Sequence, residues 1–424
     1  MAQWIDVNAV ATLLRPGMTV FVSGGISEPR GIGKALKQQP QASAGVHYIG
    51  AVFPGARPTD FATMHPDSRL TTFFVTPGLR DLFADDRINF LPLQYRAIYD
   101  YLEHEATIDL ALIQVAPPDA QGRSAHGLRI DFTPAILAKT KTVVAEINTA
   151  LPALAGCPTI PFAAIDYAVA VNRPLPNEAP AEINAAAHAI GAHIAALVKD
   201  GDCIETGVGA IPDAALAAFR DKNDLGVHSG MIAHGVARLA QAGVVTGAAK
   251  TIDRGKIVTG FVAGDSDTFA WARVATDLLL RPVNYTHDNA VLAQIDNFVA
   301  INSALEVDLF GQMNAEMIGG RQISATGGGV DFIRGAARSK GGRSIIALSA
   351  TAAGGKISRI VPTLAAGTVA TALRSDADIF VTEFGIARVR HLSVEARAQA
   401  LIEIAAPQYR DELRAAWRAR QRNG

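Results

Sequence analysis

The chain has 424 residues, of which 49% are apolar and 19% charged, with a formal net charge of −1. That length exceeds what one core ordinarily fills, so two α/β domains are expected. A near-neutral balance argues against nucleic acid or an anionic membrane as the main partner, and leaves room for a local basic pocket that binds phosphates.

The opening residues, Met1-Ala-Gln-Trp-Ile-Asp6, carry no charged segment followed by an apolar stretch, so no secretory leader is expected. No uninterrupted apolar run approaches the ~18 residues that a membrane helix needs. Thr19–Val22 is the first of several short apolar runs, followed by Leu110–Val115, Thr142–Glu146, Ile345–Leu348 and Ile379–Thr382. Each is rich in Val, Ile or Phe, bounded by Gly, Pro or Asp, and separated from the next by helical patterns. Such runs suit parallel strands covered on both faces, and the fold class they predict is α/β. Cys157 and Cys203 lie far apart and outside any metal-ligand spacing. They read as buried free thiols in a reducing compartment, and a cytoplasmic protein is expected.

Asn172-Arg-Pro-Leu-Pro-Asn-Glu-Ala-Pro180 holds three prolines in nine residues. It cannot continue a helix or a central strand, and it sets the expected boundary between lobes 1–180 and 181–424. Beyond it the chain restarts the pattern of the N-terminus. Leu14-Arg-Pro-Gly17 leads to Met-Thr-Val-Phe-Val and then Ser23-Gly-Gly-Ile-Ser-Glu-Pro29. Val198-Lys-Asp-Gly201 leads to Asp-Cys-Ile-Glu-Thr and then Gly207-Val-Gly-Ala-Ile-Pro212. We read this as an internal repeat in which each lobe begins with a strand, a Gly-rich loop and a helix. The Ala-rich stretch 185–198 reads as an ordinary helix.

Gly-rich turns between strand and helix turn backbone N–H groups toward an anion. The candidates are Ser23-Gly-Gly, Gly207-Val-Gly209, Gly327-Gly-Gly329 and Ser339-Lys-Gly-Gly-Arg-Ser344. None ends in the Gly-Lys-Ser/Thr of a P-loop, and Pro212 stands where a dinucleotide motif needs its third glycine. The ten histidines form no zinc-binding spacing, so no metal is expected. No Gly-x-Ser-x-Gly elbow occurs. Carboxylates remain as candidate chemistry: Glu146, Glu205, Glu306, Glu316 and Glu383 all lie in or beside apolar runs, where an acid is costly unless it is paired or functional.

Several longer stretches carry a resemblance. Gly207-Val-Gly-Ala-Ile-Pro-Asp-Ala-Ala-Leu216, Asp224-Leu-Gly-Val-His-Ser229, Ile301-Asn-Ser-Ala-Leu-Glu-Val-Asp-Leu-Phe-Gly-Gln-Met-Asn-Ala-Glu316 and Thr326-Gly-Gly-Gly-Val-Asp-Phe332 are similar to segments of the acetyl-CoA hydrolase/transferase family, which includes 4-hydroxybutyrate CoA-transferases. So are Ser339–Leu348, Lys356–Pro362, Val381–Ala387, Asp109–Asp119 and Val144–Asn148, and the likeness covers essentially the whole chain. It implies two tandem open parallel-sheet lobes of the CoA-transferase (NagB/RpiA-like) type with the active site in the cleft between them. It implies CoA as co-substrate, acyl-CoA with or without a small carboxylate as partner, and a homodimer or higher oligomer. By the resemblance, Gly207, Gly209, Gly327, Gly328, Gly329, Lys340, Gly341, Gly342, Lys356 and Arg359 are expected to hold the cofactor. Arg343 is a further basic candidate for its phosphates.

The resemblance also implies a glutamate that attacks acyl-CoA and then carries CoA as a thioester. Here the chain departs. Gly226-Val-His-Ser-Gly-Met231 has Gly230 at the place of that glutamate, and His234 stands where the family usually has an aspartate. Before the Gly-x-Gly loop the family has an amide, whereas this chain has Glu205; Gly329 replaces a glutamine. A carboxylate is thus lost at 230 and gained at 205. The expected catalytic residues are Glu205, as base on water or relocated nucleophile, with His228 and Ser229 beside the vacant position. The leading expectation is hydrolysis of an acyl-CoA or related hydrolytic chemistry. The alternatives are a carboxylate CoA-transferase using Glu205 and a non-catalytic acyl-CoA binding protein.

Overall fold

In the computed structural model of the chain, residues 2–50, 58–83 and 86–423 are described. Three of the apolar runs form strands with the expected bounds: Thr19–Val22, Leu110–Val115 and Ile379–Thr382. The run from Thr142 continues to Asn148, and the run expected at Ile345 starts earlier, at Arg343, and ends at Ala347. Both extensions carry polar residues that still find partners. Asn148 Oδ1 accepts the Ala150 and Arg173 N–H groups, and the Ser344 N–H donates to Asp378.

The chain divides into two compact units. The first comprises Met1–Glu178 with Thr259–Tyr285 and Ile323–Gly327. Its strands are β1 (Gln3–Trp4), β2 (Thr19–Val22), β3 (His47–Gly50), β4 (Arg69–Thr72), β5 (Ile88–Phe90), β6 (Leu110–Val115), β7 (Thr142–Asn148) and β8 (Tyr167–Val171). They form one sheet in the order β1-β8-β7-β6-β2-β3-β4-β5, parallel throughout. Alternation along each strand feeds two cores. Val20, Leu110, Leu112 and Val144 join one, while Phe21, Ala111, Ile113, Val143 and Ala145 join the other. Apolar residues are therefore needed at every position, which is why these strands read as unbroken apolar runs.

The second unit comprises Ala179–Val258, Thr286–Gln322 and Gly328–Gly424. Its strands β9 (Cys203–Thr206), β10 (Gly226–Ile232), β11 (Phe298–Ser303), β12 (Arg343–Ala347), β13 (Ile379–Thr382) and β14 (Gly385–Arg388) run in the order β10-β9-β11-β12-β13-β14. The pairings are parallel except β13 with β14, a tight antiparallel return at the edge. Helices α1 (Arg30–Gln38) in the first unit, and α2 (Ala185–Leu197), α3 (Ala210–Ala217), α4 (Asn289–Leu292) and α5 (Gly329–Arg338) in the second, are the ones that bear on the site.

Both sheets share one topological feature. In the first, the chain moves outward from β2 to β5 and returns to place β6 on the other side of β2. In the second, it moves outward from β9 to β10 and returns to place β11 on the other side of β9. Each return is a switch point, the place where an open parallel sheet leaves a crevice beyond its strand ends. The strands that open the internal repeat, β2 and β9, occupy the same topological role.

Glu146, one of the candidate carboxylates, lies on β7 with no solvent exposure. It is fully occupied: it accepts the Ile32 N–H near the start of α1 at 3.0 Å and pairs with Arg173 at 3.2 Å. Its role is structural. Glu146→Leu, which removes the carboxylate partner of Arg173 and the acceptor of the Ile32 amide, is expected to destabilise the protein by about 2–4 kcal/mol, read as a fall in the urea midpoint.

Candidate functional site

Glu205 is the third residue of β9, and its side chain points to the sheet face that carries an apolar core. The register shows why. Cys203 pairs with Phe298 and Glu205 with Ala300, and Cys203, Phe298, Ala300, Phe332 and Ala336 form one buried cluster. Parallel neighbours in register share a face, so Glu205 stands in line with that cluster and is only 3% exposed. Its Oε2 accepts a 2.8 Å hydrogen bond from the Nδ2 of Asn302, near the end of β11. β9 and β11 flank the switch point, so this bond bridges the crevice position of the second sheet. Burial pushes the carboxyl up to about 8, against the opposing pull of the Asn302 amide and the Ile301 backbone.

The other candidate carboxylates differ. Glu306 accepts from Asn314, Glu316 from Thr371 and Gln322, and Glu383 from the Ala350 N–H. Glu306 and Asn314 face each other across a pair of antiparallel strands.

On β10, Gly226, His228 and Gly230 alternate onto the Glu205 face, since Gly226 pairs with Cys203. His228 is wholly buried, with its ring edge-on to Phe298 at 6.4 Å. Ser229 points the other way, and its hydroxyl donates to the Thr206 carbonyl at 3.4 Å. His234, at the start of the next helix, sits 3.4 Å from Asp213.

After β9, the Gly207 N–H donates to the Ile301 carbonyl, and Gly209 takes a φ of +115° that turns the chain into α3. Gly327 belongs to the first unit, where its carbonyl accepts the Tyr95 N–H. Gly328 and Gly329 open α5 in the second unit. A Cβ on Gly329 would stand 3.0 Å from Asn302 Oδ1, so glycine lets the helix start approach the amide that holds Glu205.

The basic candidates do not gather there. Lys340, Gly341 and Gly342 form the turn from the end of α5 into the start of β12, at the amino end of the strands and so away from Glu205. The Lys340 side chain is 87% exposed and 3.6 Å from Asp296. Arg343 is committed to Asp202 and the Leu197 carbonyl. Lys356 lies exposed on the hairpin of Thr351–Ala352 with Ile357–Ser358, beyond the C-terminal end of β12, and Arg359 comes next with its backbone paired to Ala350 and Val307.

Sequence reasoning missed two neighbours of this site. Asn302 lies inside a quoted motif, and its signal was available: a polar residue closing the apolar run Phe298–Ile301. His287 lies in Thr286-His287-Asp288, which shows no pattern; only packing reveals it. Among the described residues, Asp100, Glu103 and His104 have mutual distances suited to a metal ion, on a helix of the first unit.

A buried acid at the strand-end switch point of an open parallel α/β sheet marks a candidate functional site of an α/β protein. The chain belongs to the acetyl-CoA hydrolase/transferase family: residues 2–176 match the family's N-terminal domain and residues 264–417 its C-terminal domain. It is 36% identical to the 4-hydroxybutyrate coenzyme A transferase of Clostridium kluyveri over 407 residues, 96% of this chain and 95% of that one. The solved structure of RipA from Yersinia pestis is similar at a TM-score of 0.92 and 31% identity, covering 99% of this chain and 98% of that one. That of the 4-hydroxybutyrate CoA-transferase of Porphyromonas gingivalis is similar at 0.83 and 29%, with coverage of 99% and 98%.

The raised pKa has a consequence for stability. Between the ordinary value of 4.5 and about 8, the folded state keeps the Glu205 proton while the unfolded chain has lost it. Stability from this group is therefore full below pH 4.5, falls as pH rises to about 8, and is level above. Glu205→Gln is expected to flatten that slope, so that its melting temperature gains on the parent's as pH rises from 5 to 8. Parallel melting curves for the two proteins would contradict the burial argument.

Proposed function

We propose that this chain hydrolyses an acyl-CoA thioester, with Glu205 as the general base that activates water. The observation that carries the reading is the buried Glu205 carboxyl, poised near pH 8 and held by Asn302 at the switch point. CoA as co-substrate follows from the family, whose described activities are hydrolysis and CoA transfer.

The resemblance implies a nucleophilic glutamate at position 230, and glycine there offers no side chain to carry CoA. Loss of that group favours water as acceptor. Glu205 takes a proton from water as its oxygen attacks the thioester carbonyl; the tetrahedral centre collapses and the C–S bond breaks. The products are the carboxylate, CoA thiol and one proton. The acid near 8 gives a base strong enough to accept that proton while still partly ionised near neutral pH. Asn302 fixes one carboxylate oxygen. Gly207, Gly209, Gly328 and Gly329 offer backbone near the same strand ends, where Lys356 and Arg359 come after β12; we assign CoA contacts to these rather than to Lys340, Gly341 and Gly342. The same reading places the protein in the cytoplasm, where buried Cys157 and Cys203 stay reduced, as a homodimer.

The test is thiol release from a panel of acyl-CoA thioesters without added carboxylate. The rate is expected to rise about tenfold per pH unit below 8 and level above, and Glu205→Gln to lose about 10²–10⁴-fold. Release that requires acetate or another acid would make the chain a transferase and overturn hydrolysis. Full activity in Glu205→Gln would remove the base.

A further inference from the structure

Glycine at positions 230 and 328 is a steric requirement set by one ring. The imidazole of His287 lies between β10 and the start of α5. A Cβ on Gly230 would stand 2.6 Å from His287 Cε1 and 2.7 Å from Nε2; a Cβ on Gly328 would stand 2.5 Å from Nε2 and 2.6 Å from Cδ2. Phe332 Cε2 lies 3.5 Å from both positions, so the ring and Phe332 close the space together. The ring is also held. It is 2% exposed, its Nδ1 shares a 2.8 Å hydrogen bond with the Thr286 hydroxyl, and it packs on Phe332 with centroids 4.5 Å apart. Burial, with His228 nearby, lowers its pKa to about 3, so the ring is neutral at working pH.

This packing is contiguous with the Glu205 site. Glu205 bonds Asn302, Asn302 abuts Gly329, and the preceding Gly328 abuts His287, which abuts Gly230.

We propose that His287 takes the volume a side chain at position 230 would fill, so that Gly230, Gly328 and His287 are one interdependent unit. His287 is then a positioning residue that keeps a side-chain nucleophile off the end of β10. Restoring a glutamate at 230 would not restore its chemistry while the ring stays.

Two experiments test this. The first needs no activity. Gly230→Ala is expected to lower the melting temperature by about 3–8 °C through overpacking. His287→Ala lowers it by opening a cavity, and the double variant melts above Gly230→Ala. Additive costs, or a Gly230→Ala protein as stable as the parent, would overturn the proposal.

The second rests on the proposed function, in which position 230 is where the family's nucleophile stands. Gly230→Glu and Gly230→Glu/His287→Ala are incubated with acetyl-CoA. The introduced carboxylate would attack the acetyl carbonyl, releasing CoA thiolate and leaving a mixed anhydride. The thiolate would then attack the glutamyl carbonyl, forming an enzyme–CoA thioester and acetate. Borohydride reduces that thioester to an alcohol, which mass spectrometry locates. At least tenfold more adduct is expected in the double variant; equal amounts, including none in either, would contradict His287 as the barrier. Failure of the Glu205→Gln test leaves the melting comparison untouched, so the two readings fail separately.

Discussion

The hydrogen bond from Asn302 to Glu205 is the interaction on which the candidate site depends. β9 and β11 are far apart in sequence and adjacent only because the chain returns across β9 after building the outward arm of the sheet. β9 leads into α3 and β11 into the short strand Glu306–Asp308, and the amide–carboxylate contact ties the two strand ends together. The same contact keeps an acid in a face otherwise built of Phe298, Ala300 and Phe332. An isolated ionised carboxylate in such surroundings is costly, and the neutral Asn302 amide and Ile301 backbone compensate only part of that cost. The remaining cost appears as a carboxyl that holds its proton to about pH 8.

Glu146 is the instructive contrast. It is at least as buried as Glu205, yet a guanidinium and a peptide N–H meet it. Two acids of similar burial thus differ because one is met by a charged guanidinium and the other by neutral groups, the Asn302 amide and the Ile301 backbone. Burial by itself did not distinguish them, and neither did their apolar flanks in the sequence.

Much of the architecture was legible in the sequence because a parallel sheet covered on both faces demands apolar residues at every position. Thr19–Val22, Leu110–Val115 and Ile379–Thr382 could be read directly for that reason. The repeat beginning at Leu14 and Val198 was legible too, since a glycine turn must launch β2 and β9 and a Gly-rich loop must end them. Glu205 was singled out by the resemblance, as an acid at a position where the family has an amide. Side-chain contact across sequence distance could not be read. His287 has no local signature, and its effect on Gly230 and Gly328 arises only when α5 packs on β11 and β12 and brings Gly328 to the ring. The phosphate candidates show the same limit. Ser339-Lys-Gly-Gly-Arg-Ser344 has the composition of an anion loop, but α5 runs antiparallel to the strands and delivers that turn to their amino ends, away from Glu205.

The central claim is that Glu205 is a carboxyl poised by burial for proton transfer. Its own titration tests this most directly. In protein labelled with ¹³C at the glutamate side-chain carboxyl, the resonance that disappears in Glu205→Gln is tracked from pH 4 to pH 9. A midpoint near 8 is predicted. A midpoint near the ordinary 4.5 would mean that water or charge reaches Glu205 freely, and would contradict the account.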